Sequence, residues 1–373
     1  KGKINEASAF YSGVLEKFSK NKRAHDGLVI AHNILAREHI NSLISIYNQG
    51  ELETVVEKTQ QLVKSLTHAS LLWNILGVAF RGQKRFEESI QSLRTAISLQ
   101  YDFAEAYFNM GGTFFDQGDY LGAIEGFQQA LKFKPKYFDA LNNLGSAFRG
   151  VGDFEGALKS FEQAVKIQPN SANTYFNIGV LLHDQGNNEE AIHAYTKAIS
   201  LKSDCAAFYN NLGIVLKDTG AKGKALEAYE KAVSINPNYF EAHNNVGVVL
   251  NSQGKREEAI EAFKKALDIN PDYDDAYANI GNSLKRTVFS EHSDYLQRTT
   301  VSLLERKTLV NPKDISDAAI SLLKVDPKLQ SLFKQHVANE STKSLLMLLE
   351  KLSESSLLIK LMGVSPITDI DLE

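Results

Sequence analysis

Asparagine recurs in strict register through the middle of the chain, at Asn109, Asn143, Asn177, Asn211, Asn245 and Asn279, each 34 residues after the last. Asn74, Asn142, Asn210 and Asn244 add amides one position earlier in the same period. A carboxamide both donates and accepts hydrogen bonds. Amides at fixed spacing can therefore hold the backbone of a peptide without reading its side chains. The same residues can equally serve the repeat itself, satisfying local backbone groups or water. Basic residues follow in the same period, among them Arg81, Arg149 and Lys217, with Asp116, Asp184 and Asp218 beside some of them. The surface these residues share is expected to be mixed in charge and dominated by amides, with Arg81, Arg149 and Lys217 selecting for acidic groups.

Other chemistry is sparse. His25, His32 and His39 stand seven residues apart and can share one helix face. Zinc sites use closer pairs together with Cys or carboxylate ligands, so these histidines are expected to form an exposed stripe. His243 takes the place of an aromatic and reads as structural. The chain has no phosphate-binding glycine loop, no nucleophile elbow and no HExxH. The lone cysteine, Cys205, excludes an internal disulfide and a multi-cysteine metal site. A net charge of −4 provides no global basic field for nucleic acid. No apolar run reaches the roughly 18–20 residues of a membrane helix. The chain begins at Lys1 and shows no signal peptide. The expectation is a cytoplasmic, non-catalytic protein that needs no cofactor or metal and takes a protein or peptide partner, with self-association a further possibility.

The elements that carry these residues are marked by glycine. Gly77, Gly111, Gly145, Gly179, Gly213, Gly247 and Gly281 keep the same 34-residue interval. Aromatic or apolar residues four before, one before and three after each glycine fall on one helical face. A glycine inside a helix costs roughly 1 kcal/mol against alanine. Its recurrence points to another helix passing where a side chain would sit. That second helix carries small residues twelve and nineteen after the glycine, as at Ala157 and Ala164, and an aromatic at sixteen, as at Phe161. Gly118, Gly152, Gly186, Gly220 and Gly254 mark the turn between the helices. Pro135, Pro169, Pro237 and Pro271 mark the stop of the second helix.

This pattern, in phrases such as "AYFNMGGTFFDQGDYLGAIEGFQQALKFKP", resembles the tetratricopeptide repeat, a helix–turn–helix unit of 34 residues. The resemblance covers about residues 70–284. It implies an all-α right-handed superhelical solenoid whose first helices line a concave groove and place the asparagines in it. Asparagine ladders of this kind are a feature of the superhelical repeats of O-linked N-acetylglucosamine transferases. The lysine clamp that other such repeats use for a C-terminal carboxylate is absent. A degenerate unit, 36–69, is expected ahead of the array, with Ile44 where glycine belongs and Tyr47, Val56 and Val63 in core positions. "GKINEASAFYSGVLEKFSKN" reads as the second helix of one more unit, and a separate helix at roughly 24–38 is expected to break the phase. The domains are therefore 1–35, 36–284 and 285–373.

After Leu284 the pattern dissolves. A helix is expected over 291–309, and "NPKDISDAAISLLKVDPKLQSLFKQHV" reads as two short helices, the second capped by Asp326 with Pro327 in its first turn. Two further apolar helices are expected to end at Gly363 and Pro366. Repeat stacks need a cap over their last apolar face, and this segment can supply it. "SLLIKLMGVSPITDIDLE" also resembles the linker in bacterial proteins that join such repeats to an S-adenosylmethionine-dependent methyltransferase, a sulfotransferase or a glycosyltransferase domain. That resemblance implies a substrate-recruiting region of a larger transferase. It leaves Leu357, Leu358, Leu361 and Met362 as an uncovered apolar face.

Overall fold

A computed structural model describes residues 2–285, 287–306, 310–338 and 354–364. Among them there are helices and turns and no strand. The chain divides into two compact units, Lys1–Leu201 and Lys202–Glu373.

In the first unit, α1 (Gly2–Lys17), α2 (Lys22–Asn48) and α3 (Leu52–Ser65) precede four helix pairs. The pairs are α4 (Ser70–Gly82) with α5 (Phe86–Leu99), α6 (Ala104–Gln117) with α7 (Tyr120–Phe133), α8 (Phe138–Gly150) with α9 (Phe154–Ile167), and α10 (Ala172–Asp184) with α11 (Asn188–Leu201). The helices end where local chemistry dictates. α7 and α9 stop two residues before Pro135 and Pro169, where proline would remove a backbone donor and clash with the preceding turn. Asp119 and Asp153 cap α7 and α9 by accepting from the backbone N–H of Gly122 and Gly156, at 3.0 and 2.9 Å. Within each pair the long-range packing is dense, and the first helices α4, α6, α8 and α10 also touch one another in succession.

The glycine ladder is a packing device. A methyl at Gly145 would sit 2.6 Å from the Phe161 ring, and one at Gly179 would sit 2.8 Å from Tyr195. Phe127, Phe161 and Tyr195 are at most 1 % exposed. Each aromatic of this kind contributes about 2–3 kcal/mol of burial, which outweighs the roughly 1 kcal/mol that a helical glycine costs.

The turn glycines adopt positive φ, as at Gly118 (84°). At the equivalent point between α4 and α5 the residue is Lys84, which holds φ at 60° with a full side chain.

The N-terminal helices correct two expectations. No separate helix intervenes before the degenerate unit: α2 runs unbroken from Lys22 to Asn48 and serves as that unit's first helix. Leu43, at 2 % exposure, fills the position of the missing glycine, while Ile44 is 47 % exposed. A count of 34 back from Gly77 lands on Leu43. Sixteen residues on, where most other units carry a buried aromatic, this unit has the smaller Thr59, also buried. Val56 and Val63 are buried as expected, and Tyr47 is partly buried.

In the second unit, α12 (Ala206–Asp218) pairs with α13 (Lys222–Ile235) and α14 (Phe240–Ser252) with α15 (Arg256–Ile269). α16 (Asp274–Leu284) is a first helix whose partner has diverged. The remaining elements are α17 (Asp294–Glu305), a 3-10 turn at Pro312–Ile315, α18 (Ser316–Lys324), α19 (Pro327–Ala338) and α20 (Ser356–Val364). Val310 packs against Gly281, taking the place that an aromatic holds in the complete repeats. Asp326 caps α19 as expected, accepting from the N–H of Lys328 at 2.8 Å and of Leu329 at 3.2 Å.

Leu357, Leu358 and Leu361 do not form an open face. They are buried in one core with Ile280, Leu284, Leu303, Leu304 and Leu322. Ile359 and Met362 of α20 stand out into solvent. α20 thus packs into the core of the second unit, and that packing makes the three leucines inaccessible. The first of the two further apolar helices expected in this segment lies outside the described residues.

Candidate functional site

The asparagines occupy two different positions on the first helices. Those at Asn109, Asn143, Asn177, Asn211, Asn245 and Asn279 are half-buried, on the rim of the layer. Asn210 and Asn244 lie deeper, at 5 % exposure. The amide at the earlier of the two positions meets the amide at the later position in the next repeat. Asn109 Nδ2 donates to Asn74 Oδ1 at 2.9 Å. Asn245 Nδ2 donates to Asn210 Oδ1 at 3.0 Å, and Asn279 Nδ2 to Asn244 Oδ1 at 2.9 Å. These three bonds join residues 35 apart and tie neighbouring repeats together. Each satisfies a group that would otherwise cost about 1–3 kcal/mol to bury unpaired.

The pattern breaks in the middle of the chain. Phe108 stands where the asparagine acceptor would be, so Asn143 loses that partner. Phe108 instead packs on the Phe127 and Tyr137 rings, with centroids 5.7 and 4.8 Å away. Asn211 turns back to its own helix and donates to the Ala207 carbonyl at 2.9 Å. Asn142 likewise donates to the Phe138 carbonyl at 3.3 Å, which leaves its buried Oδ1 without a donor. Asn143 and Asn177 have no side-chain hydrogen bond among the described residues. Two amides with free donors and acceptors therefore sit one repeat apart on α8 and α10.

The three cations singled out in the sequence are already engaged. Arg81 Nε lies 2.6 Å from Asp116 and its guanidinium covers Gly112. Arg149 lies 3.3 Å from Asp184, and Lys217 3.7 Å from Asp218. Arg81 and Arg149 reach across to the next repeat, where the acid sits one position further along than the base. The pairs are partly exposed, so each contributes on the order of 0–1 kcal/mol. An acidic ligand group would have to displace an aspartate that already holds the site.

Tyr195 and Tyr229 are fully buried, with hydroxyls that have no partner. Burial, reinforced by the nearby Asp184 and Asp218, raises both phenols above the usual tyrosine range. They are neutral fillers of the position that Phe127, Phe161 and Phe263 occupy elsewhere.

The histidines were expected to form an exposed stripe and do not. His39 is exposed, but His32 is 6 % exposed and His25 partly buried. His32 is covered because α1 folds along α2 and the α3–α4 turn lies against it. Its two ring nitrogens meet Ser8 Oγ at 3.0 Å and the His68 backbone N–H at 3.2 Å. His68 lies 36 residues from His32 and belongs to no repeat motif, so spacing could not reveal it. His243 is bonded to the Pro237 carbonyl at 2.9 Å, in keeping with a structural role. Among the described residues no group of His, Cys, Asp and Glu is arranged to hold a metal ion, and no helix is long and apolar enough to cross a membrane.

Comparison with known proteins agrees with this architecture. Sequence-family profiles described as TPR repeat match residues 111–150 and 247–287. Profiles described as tetratricopeptide repeat match 71–103, 137–204, 176–240 and 228–261. No curated protein matches the chain. A crystal structure of MamA is 33 % identical over 43 % of this chain and 95 % of its own, with a TM-score of 0.40. A tetratricopeptide repeat protein from Parabacteroides merdae ATCC 43184 is 18 % identical over 66 % of this chain and 98 % of its own, with a TM-score of 0.54. The Cut9-Hcn1 hetero-tetramer of the APC/C is 16 % identical over 76 % of this chain and 53 % of its own, with a TM-score of 0.53. At such identities the last two show the fold alone. The repeat signature, the stacked helix pairs and these profile matches agree: the chain belongs to the tetratricopeptide repeat proteins, with the solenoid build of a protein-interaction scaffold.

Proposed function

We propose that the face carried by the first helices binds an extended peptide or protein segment through its backbone, with Asn143 and Asn177 as the central contacts. The observation that carries this reading is the uneven use of the amide ladder. Asn74, Asn109, Asn210, Asn244, Asn245 and Asn279 are bonded to one another, and Asn211 is bonded to its own helix. Asn143 and Asn177 are left with both amide functions unspent. A peptide unit, one donor and one acceptor, complements a carboxamide. Arg81 and Arg149 act second, by exchanging an aspartate for an acidic ligand group. Recognition of this kind tolerates varied side chains and fits a cytoplasmic scaffold.

The test is binding to a peptide array of unbiased sequence, followed by titration of the best binders. Changing Asn143 and Asn177 together to alanine should weaken binding roughly ten- to a hundredfold, at about 1 kcal/mol or somewhat more per lost bond. Helicity and the unfolding midpoint should stay as they are, because neither amide is bonded within the protein. Unchanged affinity would sink the reading.

A further inference from the structure

His25, His32 and His68 form a cluster of three imidazoles that the repeat architecture does not require. The ring centroids of His25 and His68 are 5.2 Å apart, and those of His32 and His68 5.8 Å apart. His25 and His32 lie on α2, and His68 lies in the turn between α3 and α4. His32 Nδ1 accepts the His68 backbone N–H, so that nitrogen carries no proton. The remaining proton is on Nε2, which faces Ser8 Oγ of α1. One neutral ring thus joins three elements. A second proton on Nδ1 would set two donors against each other and break the bond to His68.

We propose that this cluster is an acid-sensitive latch that releases α1 and the N-terminal half of α2 from the first complete repeat. The neighbouring contact supplies the hinge. Asn33 Nδ2 donates to Ser70 Oγ at 2.9 Å, and Asn33 Oδ1 accepts the Leu71 N–H at 3.1 Å. Those bonds involve no titrating group and persist in acid. His32 and Asn33 are adjacent, so protonation frees one side of a two-part fastening and leaves the other.

The groups that face His32 are His68 from the turn and the Ser8 hydroxyl from α1, while His25 on α2 faces His68. Burial lowers the affinity of His32 for a proton, and the charge of His68 lowers it further. Burial and His25 do the same for His68. No carboxylate is among the causes of either shift to offset them. Because the packed state binds fewer protons than the open one, its stability is complete above pH 6.5, the ordinary histidine value. It is lost as pH falls from there through the depressed value.

Trp73 is the chain's one tryptophan, and its indole N–H donates to the Thr67 carbonyl at 3.0 Å, beside His68. Its emission therefore reports on the latch. Between about pH 7.5 and about pH 5 the wild-type protein should show a cooperative red shift with a midpoint below 6.5 and no loss of overall helicity. The double variant His32→Gln, His68→Gln should lose that shift. A flat wild-type signal, or the same transition in the double variant, would overturn the proposal. If the variant does not fold, histidine proton resonances of the wild type decide: His32 half-protonated below pH 6.5 supports the latch, and at or above 6.5 refutes it.

Discussion

Asn245 donates its side-chain amide to Asn210 in the preceding repeat at 3.0 Å, and the acceptor is 5 % exposed. Asn210→Ala should lower stability by about 1 kcal/mol, since it removes a neutral bond and leaves a donor poorly hydrated. Asn245→Ala should cost a similar amount by stranding Asn210. The double variant should cost less than the sum, with a coupling of roughly 0.5–1.5 kcal/mol. Urea denaturation of the four proteins measures this, and strict additivity would show that the amides act independently.

Lys84 holds a left-handed backbone, φ 60°, where the other turns place glycine. A residue with a Cβ pays roughly 1–2 kcal/mol for that conformation. Lys84→Gly should therefore raise the unfolding midpoint, although glycine also gains freedom in the unfolded chain. The net expectation is a gain of up to about 1 kcal/mol. A lower midpoint in a thermal melt would mean that the lysine side chain supplies more than the backbone loses.

The same substitution should have opposite signs at two glycines of the second unit. At Gly247 a methyl would lie 2.5 Å from the Phe263 ring, whereas at Gly223 nothing lies within 4 Å. Gly223→Ala should stabilise by about 0.5–1 kcal/mol through backbone entropy. Gly247→Ala has the same gain available, but overpacking a filled site costs roughly 1–3 kcal/mol. Paired denaturation curves should move in opposite directions.

Tyr229 is fully buried with an unpartnered hydroxyl, and the corresponding residue one repeat on is Phe263. Tyr229→Phe should keep the fold and raise stability by about 1 kcal/mol, the lower end of what an unmet buried polar group costs. A drop in midpoint would mean that the hydroxyl has a bonding role.

Much of the fold was legible because each repeat is specified locally. Glycine at the crossing, aromatic at the partner position, glycine at the turn and proline after the second helix all act within one 34-residue unit. Where a unit departs from that code, legibility fell. Leu43 fills the glycine position in a unit whose second helix carries Thr59 in place of an aromatic, and Val310 comes from a divergent segment to cover Gly281. The 34-residue count does reach Leu43 from Gly77, but Val310 lies outside the repeat and no period points to it.

By itself the sequence determined the repeat, its phase, its helix ends and the rows of side chains along the first helices, because these depend on spacing along one chain segment. Only the tertiary structure decided what those rows do. Asn210 and Asn245, His32 and His68, and Arg149 and Asp184 each meet across more than thirty residues of chain. Hydrogen bonds and ion pairs are directional and short-ranged, so whether an amide is spent on its neighbour or left free depends on what the stacked helix places opposite it. Asn245 meets Asn210, whereas Phe108 stands in the equivalent place before Asn143.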